Sequence, residues 1–265
     1  MLYMNGDRVR LGLCMMFPAP GIIEEIGRDW DWIWLDGQHG QLGGYEQMLA
    51  MVRACDYVGK PAYVRVAGHE ASAISLALDM GADAVIVPQI DTVEQALIAV
   101  RAAKFPPLGN RSFGGRRPID LNGREYVETA NVKTKLICQI ESLEAFENVS
   151  KLAALPGVDG LFLGPDDLML RMNCSQSGED KKRKLEEAVH TVARACQLFG
   201  KDCFCVGAGK EMMNICLLAG VGFIVAGGDA GFVAAGSKGA LEMSREAMSL
   251  AIRRPVTGAG KSGLY

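Results

Sequence analysis

Asp31-Trp32-Ile33-Trp34-Leu35 is a short apolar run that passes straight into Asp36-Gly37-Gln38-His39-Gly40. The run reads as a buried strand. A carboxylate and an imidazole at its end carry a desolvation cost unless those groups have a task. The pattern recurs along the chain. Leu136-Ile137-Cys138-Gln139-Ile140 meets Glu141, and Gly160-Leu161-Phe162-Leu163 meets Gly164-Pro165-Asp166-Asp167. Polar residues delivered at the ends of several buried strands describe a catalytic rim.

Working outward, β-rich apolar runs fall at 11–17, 32–35, 62–66, 84–87, 136–140, 160–163, 203–206 and 223–226. Helix-length gaps separate them. Positions 45, 48, 49, 52 and 55 carry the 3.6-residue period of a helix over 45–58. Asp91-Thr92-Val93-Glu94 opens another that runs to residue 103 with a capping signal, and 142–154 and 185–199 behave alike. The helix over 71–80 stops at Gly81. Strands alternating with helices mean a parallel sheet. About eight of them over this length predict an α/β fold of the (β/α)8 TIM-barrel type. A doubly wound open sheet is the alternative. Against it, no G-x-G-x-x-G follows the first strand, and the polar residues spread over many strand ends rather than one crossover.

Residues 105–132 break the rhythm with Pro106, Pro107, Gly109, Gly114, Gly115 and Pro118. They read as a long loop extending the rim over the active site. The expected organisation is one barrel domain over 1–254 and a Gly- and Ser-rich flexible tail over 255–265. The net charge is 28 − 31 = −3, which disfavours a nucleic-acid partner. The run Lys181-Lys182-Arg183-Lys184 has acidic neighbours and reads as a solvated helix face. No apolar stretch reaches membrane-span length and the N-terminus lacks a signal-peptide layout, so a cytoplasmic protein is expected. The eight cysteines form no C-x-x-C pattern and read as reduced core thiols, with Cys203 and Cys205 expected on opposite faces of a strand.

Glu141 and Asp167 follow adjacent strands. As a pair they suit a hard divalent cation with waters retained; singly, each is as well explained as a helix N-cap. His39 has Asp36 three residues before it, which suits a general base whose tautomer a carboxylate fixes, or equally a hydrogen-bonded turn. His69 sits in a loop, and His190 on an amphipathic helix reads as structural. A guanidinium at Arg65, on a strand end, demands an anion: a substrate oxyanion, Asp36 or Glu141. Gln139 shares a strand face with Glu141. The turn Gly164-Pro165-Asp166-Asp167 offers free amides to a carboxylate. Gly227-Gly228-Asp229 is a weak phosphate-loop candidate, and Lys210 is a Schiff-base candidate that reads as a surface lysine.

With these residues in hand, the sequence resembles the HpcH/HpaI family of metal-dependent, class II pyruvate aldolases. Asp36-Gly37-Gln38-His39 is similar to its D-x-E-H segment, and Tyr63-Val64-Arg65 to its strand-end arginine. Leu78-Asp79-Met80-Gly81-Ala82 and Val87-Pro88 match the next βα unit, and the run from Phe105 to Arg111 matches Y-P-P-x-G-x-R. Gln139-Ile140-Glu141-Ser142 matches Q-I-E-[ST], and the run from Val158 to Leu168 matches V-D-G-[VL]-[FL]-[IL]-G-P-x-D-L. The resemblance implies a phosphoenolpyruvate/pyruvate-type barrel, usually a homohexamer. It implies that Glu141 and Asp167 ligate Mg²⁺, Mn²⁺ or Co²⁺. Gln139 and the amides around Gly164, Pro165, Asp166 and Asp167 would hold pyruvate, and Arg65 would stabilise the enolate oxygen. His39, oriented by Asp36, would move the protons, and Asp79 would reach a neighbouring subunit's site. Two departures stand out: Gln38 where many members have Glu, and Ser112-Phe113 after Arg111, in a loop expected to border the aldehyde end.

The expected activity is reversible cleavage of a 4-hydroxy-2-keto acid to pyruvate, or a close analogue, and an aldehyde. The alternatives are a citrate-lyase-like or malyl-thioester C–C lyase, and a barrel that binds a keto acid without turning it over.

Overall fold

Eight buried runs become eight parallel strands in a computed structural model that describes residues 8–174 and 178–253. In chain order the elements are β1 (Arg10–Met15), α1 (Pro20–Ile26), β2 (Trp32–Asp36), α2 (Tyr45–Val58), β3 (Ala62–Arg65), α3 (Ala71–Asp79), β4 (Ala84–Val87) and α4 (Val93–Ala103). There follow α5 (Arg116–Asn122), α6 (Tyr126–Lys133), β5 (Lys135–Ile140), α7 (Leu143–Glu147), α8 (Val149–Ala154), β6 (Gly160–Leu163) and α9 (Pro165–Arg171). The chain continues through α10 (Glu179–Phe199), β7 (Asp202–Val206), α11 (Lys210–Ala219), β8 (Phe223–Gly228) and α12 (Asp229–Arg253). Each strand pairs with the next, and β8 pairs with β1 to close the barrel. The fold is a (β/α)8 barrel. Compact packing divides the chain after Asp229, and the helical segment from Ala230 is a second unit. The expected tail over 255–265 lies outside the described residues.

Alternation along the strands sorts the core into two layers. Inward residues are large and mostly aromatic: Trp32, Trp34, Tyr63, Phe162, Phe204 and Phe223, with Ala84, Ile86, Ile137 and Val225. Phe204 and Phe223 stack at 4.4 Å. Small residues opposite make room for the rings. A Cβ on Gly12 would fall 2.3 Å from the Trp32 indole, and one on Gly160 would fall 2.8 Å from Phe204. Outward residues pack under the helices. Cys203 and Cys205 both belong to this outer layer, which corrects the expectation of opposite faces. Residues two apart in a strand share a face, and it is Phe204 between them that turns inward.

The segment over 105–132 also differs from its reading as a rim loop. It contains α5 and α6, and it connects α4 back to β5, so it lies at the end of the barrel where strands begin. Lys104, fully buried at the head of this segment, fixes the placement. Its Nζ donates to Thr134 O (2.6 Å) and Asp159 Oδ2 (2.6 Å), both just before strands β5 and β6. Arg117 donates to Asp56 Oδ2 and Met80 O, at the ends of α2 and α3. Gly and Pro gave the look of a loop, but α5 and α6 are only seven and eight residues long and carry little periodicity. The expected helix over 142–154 is likewise two, α7 and α8, meeting at Asn148.

Candidate active site

Parallel closure brings every strand's carboxyl end to one rim. Asp36 ends β2, Arg65 ends β3 beside it in register, Gln139 lies near the end of β5 with Glu141 just after it, and Gly164 follows β6. Sequence reasoning named all of these, and the structure gathers them. Asp36, Arg65, Gln139 and Glu141 are each 6% exposed or less.

A chain of polar contacts links them. Arg65 Nε donates to Asp36 Oδ1 (2.9 Å) and Arg65 Nη2 to Asp36 Oδ2 (2.5 Å), a bidentate pair. Arg65 Nη1 reaches Gln139 Oε1 at 3.5 Å, and Gln139 Nε2 donates to Glu141 Oε2. The guanidinium also lies 4.7 Å over the Trp34 ring. Burial pushes the Asp36 carboxyl up, but Arg65 and two backbone amides outweigh it and hold the group below its ordinary value.

Those amides, Gln38 N (3.0 Å) and His39 N (3.2 Å), revise the expected Asp36–His39 pairing. Asp36 takes hold of the backbone of the His39 turn, while both its oxygens are engaged by Arg65. It therefore fixes where the turn lies, and His39 is left exposed at the mouth. Gly40 allows the turn its tight approach: a Cβ there would fall 2.3 Å from Asp36 O and 3.0 Å from Met16 O.

Glu141 is free of the capping task that competed for it. Ser142 caps α7, its Oγ accepting from Ala145 N at 2.9 Å. Glu141 Oε1 instead accepts from Gln89 N at 2.8 Å, and Gln89 adopts φ +56°, a backbone region unusual for a residue with a side chain. Sequence inspection missed Gln89, for nothing in Pro88-Gln89 signals a left-handed turn. Burial drives the Glu141 carboxyl above its ordinary range; the Gln89 amide opposes this and the nearby Asp167 carboxylate adds to it. Asp167 is half-buried in the first turn of α9. Gly164 keeps the ground between these strands open: a Cβ there would fall 2.9 Å from Gln139 Nε2 and 3.1 Å from Glu141 Oε2.

Two mutually repelling carboxylates, neither in an ion pair among the described residues, fit a divalent cation. Among those residues no third His, Cys, Asp or Glu joins them. A hard cation that retains waters and takes oxygens from its substrate suits so sparse a set.

Other candidates fall elsewhere. Asp79 ends α3, a helix that returns from the rim, so it stands at the opposite end of its own barrel. There Arg111 Nη2 donates to it at 2.9 Å. Ser112 and Phe113 lie at that end too, Phe113 stacked on Tyr126 at 5.9 Å, rather than over the mouth of this chain. The Gly227-Gly228-Asp229 phosphate reading gives way to an internal acceptor. Asp229 is fully buried and its carboxylate takes Met16 N (3.0 Å) and Phe17 N (2.9 Å), a charge that would repel phosphate. Lys210 is exposed in the first turn of α11, and His190 is exposed on α10.

The sequence matches the HpcH/HpaI aldolase/citrate lyase family over residues 18–235. It is 31% identical over 233 residues to the hydroxypyruvate/pyruvate aldolase of Pseudomonas aeruginosa, covering 85% of each chain. It is 40% identical over 164 residues to the 4-hydroxy-2-oxovalerate aldolase of Novosphingobium aromaticivorans, a match spanning 60% of this chain and 62% of that relative. The crystal structure of an HpcH/HpaI aldolase/citrate lyase family protein from Burkholderia cenocepacia J2315 superposes with a TM-score of 0.81 at 28% identity, covering 91% of this chain and 96% of that one. Barrel, ordered motifs and family match agree: the chain belongs to the HpcH/HpaI aldolase/citrate lyase family.

Proposed function

We propose that this protein cleaves a 4-hydroxy-2-keto acid reversibly to pyruvate, or a close analogue, and an aldehyde. The observation that carries the reading is the buried line Asp36–Arg65–Gln139–Glu141 at the strand ends, with Asp167 alongside. Glu141 and Asp167 would hold Mg²⁺, Mn²⁺ or Co²⁺. When bound, the ion supplies Lewis acidity toward the keto-acid oxygens. Gln139 and the amides around Gly164, Pro165, Asp166 and Asp167 orient the pyruvyl unit in the space that Gly164 leaves. Arg65, clamped by Asp36 before substrate arrives, is a fixed donor where negative charge develops on the enolate oxygen, so no reorganisation is needed during the reaction. His39, held at the mouth by its turn, takes the C4 hydroxyl proton as the C3–C4 bond breaks, and a proton returned to C3 of the enolate completes pyruvate. Asp36 acts through that turn and through Arg65 as a positioning residue. Asp79 cannot reach this site within its own chain; in a homo-oligomer, hexameric by resemblance, it serves a neighbour's.

Pyruvate release from a panel of 4-hydroxy-2-keto acids, set beside acyl-CoA thioesters of β-hydroxy acids, tests the assignment. Release from keto acids alone is expected. Cleavage of the thioesters alone would move the protein to the lyase side of the family.

A further inference from the structure

Trp34 is a feature of the site that the proposed chemistry does not use. It stands two residues before Asp36 on β2, so it faces the barrel interior beneath the mouth. It is 6% exposed, with Arg65 over its face and Phe162 at 5.2 Å. Its indole Nε1 is buried and has no hydrogen-bond partner among the described residues. The neighbouring indole shows the contrast: Trp32 Nε1 donates to Arg10 O at 3.3 Å. Buried N–H groups without an acceptor are rare because desolvation is left uncompensated.

Among the described residues no acceptor lies within hydrogen-bond reach of Trp34 Nε1. Phe162 packs against Trp34, and the same interior cluster holds Trp32, Tyr63, Ile86, Ile137, Phe204 and Val225. The carboxylates above are already engaged, Asp36 by Arg65 and two amides, Glu141 by Gln89 and Gln139. Half-buried Cys14 and Val206, near the carboxyl ends of β1 and β7, border the same interior cluster. The Arg65 charge on the ring face draws electron density from the indole and makes its N–H a better donor. Resting on the keto-acid reading above, we infer that Trp34 Nε1–H donates a hydrogen bond to an oxygen of the bound 2-keto acid. Trp34 is then a substrate-contacting residue at the floor of the pocket, and the preferred ligand carries an acceptor oxygen directed down the barrel axis.

The test uses oxamate, an unreactive isostere of pyruvate, with Mg²⁺ and the full-length protein. The chain has three tryptophans, so the ¹⁵N–¹H indole signals number three. Trp30→Phe and Trp32→Phe assign two of them and leave Trp34 by elimination. Addition of oxamate is expected to move the Trp34 signal downfield and to saturate with the calorimetric binding curve. Trp34→Phe keeps an aromatic face for Arg65 but loses the N–H, and is expected to bind oxamate about tenfold more weakly. A wild-type protein that binds oxamate while the Trp34 signal stays still overturns the inference, as does a folded Trp34→Phe variant of unchanged affinity. If that variant does not fold, the wild-type titration decides alone. Absence of oxamate binding to the wild type refutes the keto-acid reading, and this inference with it.

Discussion

Arg65 is the residue on which the site's internal order rests. Its bidentate partner Asp36 is buried with it, and removing one member of such a pair strands the other charge at a cost of about 3–5 kcal/mol. Asp36→Asn should therefore lower unfolding free energy in urea by that order. The pH dependence has a definite sign. The folded Asp36 carboxyl titrates below its unfolded value, so its contribution is present above the unfolded pKa near 3.8 and is lost as pH falls through the lower folded value. The stability gap between wild type and Asp36→Asn should accordingly narrow in acid below that point; a gap that stays constant would refute the pairing. Arg65→Ala should lower kcat by roughly 10²–10³, with a smaller rise in KM, because its bond is strongest when charge develops. An effect confined to KM would make Arg65 a binding group only.

At the scale of elements, the turn after β2 couples fold to chemistry. Gly40→Ala drives a Cβ into Asp36 O and Met16 O, both backbone atoms that cannot swing aside. It should displace His39 and cut kcat tenfold or more; full activity with an unchanged Tm would show that the turn tolerates the shift. Much at this scale was legible beforehand. The 45–58 helix has the bounds its periodicity set, and Gly160–Leu163 and Ala84–Val87 are the strands their apolar runs marked. The segment over 105–132 was misplaced because a gap rich in Gly and Pro looks the same at either end of a barrel. Only the direction of α4 decides the end, and Lys104 then fastens the segment there.

For the whole molecule, closure of eight parallel strands turns residues scattered over more than a hundred positions into one rim. Strand-end polarity exposed Asp36, Arg65, Gln139, Glu141 and Asp167 in the sequence, because a buried strand that ends in charge stands out against its apolar run. Gln89 and the Trp34 indole N–H were not legible, and Asp36 was only one of three anions open to Arg65 until the structure paired them. Each depends on which strands become neighbours, and no local pattern encodes that. Glu141 and Asp167 together would hold a divalent cation that lets the pocket enolise a keto acid. Exchange of pyruvate methyl protons in D₂O, followed by ¹H NMR, tests it most directly. Exchange should proceed with Mg²⁺ or Mn²⁺ present and cease after chelation or in Glu141→Gln. Undiminished exchange in verified metal-free protein, or in Glu141→Gln, would contradict it.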